Sequence, residues 1–218
     1  MNFQKTLNAY LLENVNQITL NYQWNFSTKN FPISYTKKST NHYRNSLDLR
    51  EFIHKEIKSK SQISDDLQTW YVKDWGGVKT NRKSTFDEYL ESPSEDLIKR
   101  GDKGIASWSK MLSVRDPTIF AIYDARVAIS LNTISLLNSS ESNLFFPQLS
   151  SRNKKIVAAQ AVVKKLASSK MLNVDKEFYR NYLSFLRQAV SDCGNKFDIQ
   201  TADMVLFANA EDLSMQWC

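Results

Sequence analysis

The chain has 218 residues, a formal net charge of +6 and a pI near 9.2, with 42% hydrophobic and 12% aromatic residues. That suffices for one domain with a sizeable core, or for two small helical lobes, and it excludes general disorder. No apolar run approaches the length of a transmembrane helix, and the N-terminus has no signal-peptide apolar core, so a cytoplasmic location is expected.

Residues 1–45 are rich in Asn, Gln, Tyr and Thr. They read as a short helix followed by extended or looped chain, an irregular N-terminal segment packed on a helical domain spanning 46–218. Over 47–57, Leu49, Phe52, Ile53 and Ile57 fall on one helical face. Trp70 and Trp75 precede Gly76-Gly77 and a basic loop with Lys79, Arg82 and Lys83. Four of the five glycines lie between 76 and 104, so tight turns and close backbone approaches concentrate there. Helical pieces at 85–90 and 94–100 lead to a hairpin between Gly101 and Gly104.

A helix over 105–112 carries Lys110. Asp116-Pro117 makes a turn, 120–123 is an apolar, strand-like run, and Asp124 opens a helix through Val127, Leu131 and Ile134. A polar loop from Asn138 to Asn143 ends that helix. The segment 154–166 is amphipathic, and Phe178, Tyr182, Phe185, Leu186 and Ala189 form a clear apolar stripe closed by Gly194. A last helix is expected over 201–213. The fold class is mainly α.

The positive charge is clustered. Between residues 152 and 187, nine Lys/Arg stand against Asp175 and Glu177, a net +7, so the remainder of the chain is −1. Such a face suits a polyanion such as nucleic acid, or it is a solvated surface that keeps the protein soluble. Cys193 and Cys218 give no metal spacing, and His42 and His54 have no cysteine near them. No metal and no cofactor are therefore expected.

Lys110 and Asp124 are the candidate catalytic residues. The apolar neighbours Ile105, Met111 and Leu112 suit a partly buried helix. Burial lowers a lysine pKa and makes the amine a usable nucleophile, although lysines more often extend their ammonium to solvent. Asp124 suits a helix N-cap. A capping carboxylate that also faces a site can stabilise positive charge on a sugar. Gly101, Lys103 and Gly104, with outward backbone amides, and Arg82 and Arg126 are the candidate DNA-backbone contacts. Trp75, Trp108 and Tyr123, with Tyr71, are candidates for stacking on a flipped base or wedging the duplex, against core packing as the alternative.

The run Ser109-Lys110-Met111-Leu112, then Asp116-Pro117, then Ile122-Tyr123-Asp124-Ala125-Arg126-Val127 resembles bacterial proteins similar to 8-oxoguanine DNA glycosylase, in the helix-hairpin-helix glycosylase superfamily. The resemblance covers roughly 70–213. It implies a helix-hairpin-helix glycosylase-like fold and a base-excision enzyme on double-stranded DNA, monomeric, that flips a modified nucleotide into a pocket. It further implies Lys110 as the nucleophile at the sugar C1′ and Asp124 as the acidic residue that stabilises an oxocarbenium-like transition state. The lysine-to-aspartate spacing is shorter here than in better-known members. Lys103 therefore stands as a second nucleophile candidate, and a monofunctional enzyme, in which Asp124 activates water, stays open. Repair and defence against phage DNA with modified bases are both compatible, as is a non-catalytic DNA-binding protein that keeps the hairpin.

Overall fold

In the computed structural model, which describes residues 3–137, 143–173 and 177–216, the chain is mainly helical. The N-terminal part holds α1 (Phe3–Asn14), a 3-10 turn (Val15–Gln17) and α2 (Ile18–Asn21), then extended chain to α3 (His42–Lys58). There follow α4 (Ser64–Trp70), which runs on into a π-helical turn (Tyr71–Trp75), then α5 (Lys83–Glu91) and α6 (Ser94–Ile98). The central pair is α7 (Ile105–Arg115) and α8 (Ala125–Leu137). Next come β1 (Asn143–Phe145), α9 (Lys154–Lys170) and β2 (Met171–Asn173). The chain ends in α10 (Phe178–Asp192), α11 (Ile199–Ala208) and α12 (Ala210–Met215).

Local chemistry sets several of these boundaries. Asn41 caps α3 by accepting from the Arg44 amide at 3.0 Å, and Asp198 caps α11 by accepting from the Thr201 amide at 2.7 Å. Gly194, at φ +69°, follows α10 in the left-handed conformation that ends helices.

Two apolar clusters make most of the core. The larger joins α1, α7, α8, α10 and α11 through residues such as Leu7, Trp108, Leu131, Tyr182 and Val205. The second is largely aromatic and gathers Phe26, Phe31, Leu49, Trp70, Tyr71 and Trp75 from the N-terminal half with Ile122 from beyond it. A smaller cluster of Ile129, Ile156, Ala159, Val163 and Ala210 seats α9 on α8 and α12.

Two expectations are corrected. The first 45 residues are not a generally irregular attachment: α1 buries Phe3, Leu7 and Leu11 in the main core, and a boundary at 45/46 falls inside α3. A short helix followed by extended chain is nonetheless what this stretch forms. The single helix expected over 201–213 is two, because the Asn209 side chain turns back on the Val205 carbonyl at 3.0 Å and interrupts the helix. Two short parallel strands, β1 and β2, pair Leu144 with Leu172 across the α9 crossover. The polar loop expected from Asn138 lies outside the described residues, except for Asn143 in β1.

Candidate active site

The segment from α6 to α8 carries Lys110 and Asp124. α6 and α7 are joined by a hairpin in which Gly101 and Gly104 take φ +64° and +75°. A Cβ at Gly104 would collide with the Tyr89 hydroxyl, and Trp108 Nε1 donates to the Lys103 carbonyl at 3.1 Å. The hairpin is thus fastened from below. Its amides are only partly outward. Those of Gly101, Lys103 and Ile105 are bonded to the carbonyls of Ile98, Arg100 and Asp102, so they are not free for a ligand.

After the Asp116 turn, the chain runs extended through 120–124 and pairs with no strand among the described residues. Side chains satisfy its backbone instead, as buried peptide groups require. Ser109 Oγ accepts from the Tyr123 amide at 3.1 Å and donates to the Tyr123 carbonyl at 3.3 Å. Asp203 accepts from the Ile122 amide at 2.9 Å, and Tyr179 and Tyr182 donate to the Ala121 and Ile122 carbonyls at 2.8 Å. Ser109 precedes Lys110 and Tyr123 precedes Asp124. The pairing of Ser109 with Tyr123 therefore fixes the helix bearing the lysine against the segment bearing the aspartate.

Lys110 and Asp124 line one cavity, together with Tyr22, Trp24, Arg50, Trp75, Gly76, Asp203 and Phe207. The cavity lies at the seam of the two main core clusters: Tyr22 and Val127 come from one, Trp75 and Ile122 from the other. Lys110 is 6% exposed, and Nζ donates to the Ala106 carbonyl at 2.7 Å. Burial lowers its pKa from the ordinary lysine value, while the Asp124 carboxylate pulls it back up. Asp124 Oδ1 accepts from the amides of Arg126 at 2.9 Å and Val127 at 3.1 Å, which caps α8. Its second oxygen makes no hydrogen bond among the described residues, and lysine and aspartate share the cavity without an ion pair.

Behind them lies a buried ion pair that sequence reasoning missed. Arg50 and Asp203 meet at 3.2 Å with both side chains almost wholly buried. Arg50 Nε donates to the Tyr71 hydroxyl at 2.8 Å, and its guanidinium sits 5.6 Å from the Trp75 ring. Burial pushes the Asp203 carboxyl up to about 6, against the pull of Arg50. Sequence held a faint signal for both: a charge within the apolar register of Leu49 and Ile53, and an aspartate in the apolar centre of the last helical stretch.

The walls are aromatic. Trp75 stacks on Tyr71 at 4.3 Å and 10°. Trp24 Nε1 donates to the Trp75 carbonyl at 3.1 Å, and Trp24 meets Phe207 edge-on at 5.6 Å. The cavity itself offers about 30 Å³, room for one or two waters. A wider cleft of about 280 Å³ adjoins it and shares Trp24 and Phe207, with Arg126 and Glu211 on its far side.

Of the expected site residues, Lys110, Asp124 and Trp75 come together. Trp108 does not line the cavity: it is fully buried, edge-on to Tyr179 at 4.9 Å. Tyr123 is also core, because its hydroxyl donates to the Pro147 carbonyl at 2.7 Å and its ring packs on Phe178 and Tyr182. Lys103 is exposed on the hairpin, outside the cavity. The Arg126 guanidinium pairs with Glu211 at 2.7 Å and does not hold the Asp124 carboxylate. Arg82 is exposed ahead of α5.

Cys193 is buried and Cys218 lies outside the described residues. Among the described residues no group of His, Cys, Asp and Glu is placed to hold a metal, and no helix is long and apolar enough to cross a membrane. Set against family models, curated proteins and solved structures, the chain matches none.

Proposed function

We propose that this chain is a DNA glycosylase of the helix-hairpin-helix type, acting as a monomer in the cytoplasm on a modified base in double-stranded DNA, in repair or against phage DNA. The observation that carries the proposal is the convergence of Lys110 and Asp124, from separate elements, in one aromatic-walled cavity. Lys110 is the nucleophile. Its depressed pKa raises the fraction of neutral amine, which holds the lone pair the reaction needs.

That lone pair forms a bond to the sugar C1′ as the bond from C1′ to the base nitrogen breaks. The electrons of that bond leave with the base, which takes up a proton. Asp124 offers its unengaged carboxylate oxygen to the positive charge that develops on the sugar. The amine then loses a proton, its lone pair forms a double bond to C1′ as the bond from C1′ to the ring oxygen breaks, the ring oxygen takes up a proton, and a protonated imine between Lys110 and C1′ results. Trp75, Trp24 and Phe207 provide faces on which an extruded base can stack.

A non-catalytic DNA-binding role is the second reading, favoured by the small volume of the cavity. The deciding experiment measures base release from a panel of duplexes with modified bases, with borohydride present to reduce any imine. Release with a covalent adduct that disappears in Lys110→Gln supports the lysine mechanism. Release without an adduct, retained in Lys110→Gln and lost in Asp124→Asn, supports a monofunctional enzyme in which Asp124 activates water. DNA binding without release from any duplex supports the second reading.

A further inference from the structure

The loop between the π-helical turn and α5 starts at the cavity and ends near the hairpin. Gly76 lines the cavity beside Lys110. At the other end, Asn81 Nδ2 donates to Ser107 Oγ at 3.0 Å, which ties the loop to the first turn of α7, directly after the hairpin. Along this loop Lys79 and Arg82 are exposed and have no ion-pair partner among the described residues. The neighbouring Lys83 is spent on Asp87 at 2.9 Å.

Two independent observations mark this loop as more than a polar connection. The backbone amides of Lys79, Thr80, Asn81 and Arg82 donate to nothing among the described residues, which leaves four consecutive N–H groups without a protein acceptor where three of the four residues are exposed. A basic residue remote in sequence, Arg152, is also brought to the same strip. Arg152 Nη2 donates to the Gly77 carbonyl at 3.4 Å, and Lys154 follows on α9, exposed and without a carboxylate partner among the described residues. The start of the basic stretch after residue 150 thus meets the loop at Gly77, next to the cavity-lining Gly76.

Free amides and unpaired cations along one extended strip match a phosphodiester backbone, which presents acceptor oxygens and negative charge at regular intervals. We infer that residues 77–82, with Arg152 and Lys154, form a track for a DNA strand, running from the hairpin to the cavity mouth. The inference rests on the proposed function for the identity of the strand. It adds the surface that holds phosphates on the cavity side of the hairpin.

The test is DNA binding by fluorescence anisotropy as a function of salt, with an unmodified duplex and the full chain. Lys79→Ala combined with Arg82→Ala, and separately Arg152→Ala combined with Lys154→Ala, each remove two charges. Each pair is expected to lower the slope of log K against log salt by about two. Lys58→Ala combined with Lys60→Ala, which removes equal charge from the exposed end of α3, is expected to leave the slope unchanged. Circular dichroism confirms that each variant folds. Slopes that fall equally in all three pairs, or in none, overturn the track. If the track variants behave as expected but no base is released from any duplex, the track stands and the glycosylase does not.

Discussion

Gly76 lies against the aliphatic chain of Lys110 so closely that a Cβ there would stand 2.6 Å from Lys110 Cδ and 3.0 Å from Cε. The same atom would meet the Val72 carbonyl at 2.6 Å, inside the π-helical turn. Gly76 has an ordinary right-handed backbone, so sterics alone excludes a side chain here. Gly76→Ala is therefore expected to cost about 1–3 kcal/mol of stability and to displace the lysine amine. Thermal denaturation reads the first effect, and loss of borohydride-trapped adduct reads the second. An adduct formed at the wild-type rate in this variant would show that the position of Lys110 does not depend on Gly76.

Lys110 is expected to cost the fold stability. Its folded pKa lies below the unfolded value of 10.5, so at neutral pH the unfolded chain holds the proton more readily than the folded one. Lys110→Met removes that cost. The variant is expected to be at least as stable as the wild type at pH 7, with base release abolished. As pH rises toward 10.5 the wild-type lysine loses its proton in both states, and the stability gap closes. Urea denaturation of both proteins between pH 7 and pH 10 measures the trend. A Lys110→Met variant that is markedly less stable at pH 7 would contradict it.

The Arg50–Asp203 pair makes the opposite kind of demand. Asp203 accepts from the Ile122 amide and from Arg50, so it fixes the 120–124 run from behind. Asp203→Ala leaves a buried guanidinium and a buried amide unpaired and is expected to cost about 3–5 kcal/mol. Asp203→Asn keeps an acceptor for Ile122 and is expected to cost less. The carboxyl titrates near 6 when folded and near 3.8 when unfolded, so the folded state binds its proton first as pH falls. From pH 7 to pH 4 the wild type is therefore expected to gain stability relative to Asp203→Asn, which has no carboxyl to titrate. Chemical denaturation of the two across that range checks the sign.

What sequence could and could not reveal follows from the range of each interaction. Asp124 was legible because a helix start wants a carboxylate, and α8 begins at the next residue. Lys110 was legible because its neighbours are apolar. The amphipathic stripes of α3 and α10 follow from 3.6-residue spacing. Trp75 and Trp108 could not be told apart, since an aromatic looks the same in sequence whether it lines a cavity or fills a core. Arg50 and Asp203 lie 153 residues apart, and no local pattern joins them. The strand-like run at 120–123 was visible as apolar chain, but its hydrogen bonds go to Ser109, Asp203, Tyr179 and Tyr182, partners that only tertiary folding assembles.

In the proposed mechanism Asp124 has two tasks that substitution can separate. As a cap it needs one acceptor oxygen for the amides of Arg126 and Val127. As a catalytic group it needs negative charge facing the cavity. Asn caps helices about as well as Asp, so Asp124→Asn is expected to melt within a few degrees of the wild type while base release falls at least a hundredfold, about 3 kcal/mol of transition-state stabilisation. Asp124→Ala loses the cap as well and is expected to be about 1 kcal/mol less stable, which for a chain of this size lowers the melting temperature by about 2–4 °C. DNA affinity is expected to persist in Asp124→Asn, because the proposed backbone contacts lie elsewhere. If Asp124→Asn and Asp124→Ala lose stability equally, the capping role fails. If Asp124→Asn releases base at the wild-type rate, the carboxylate takes no part in the chemistry.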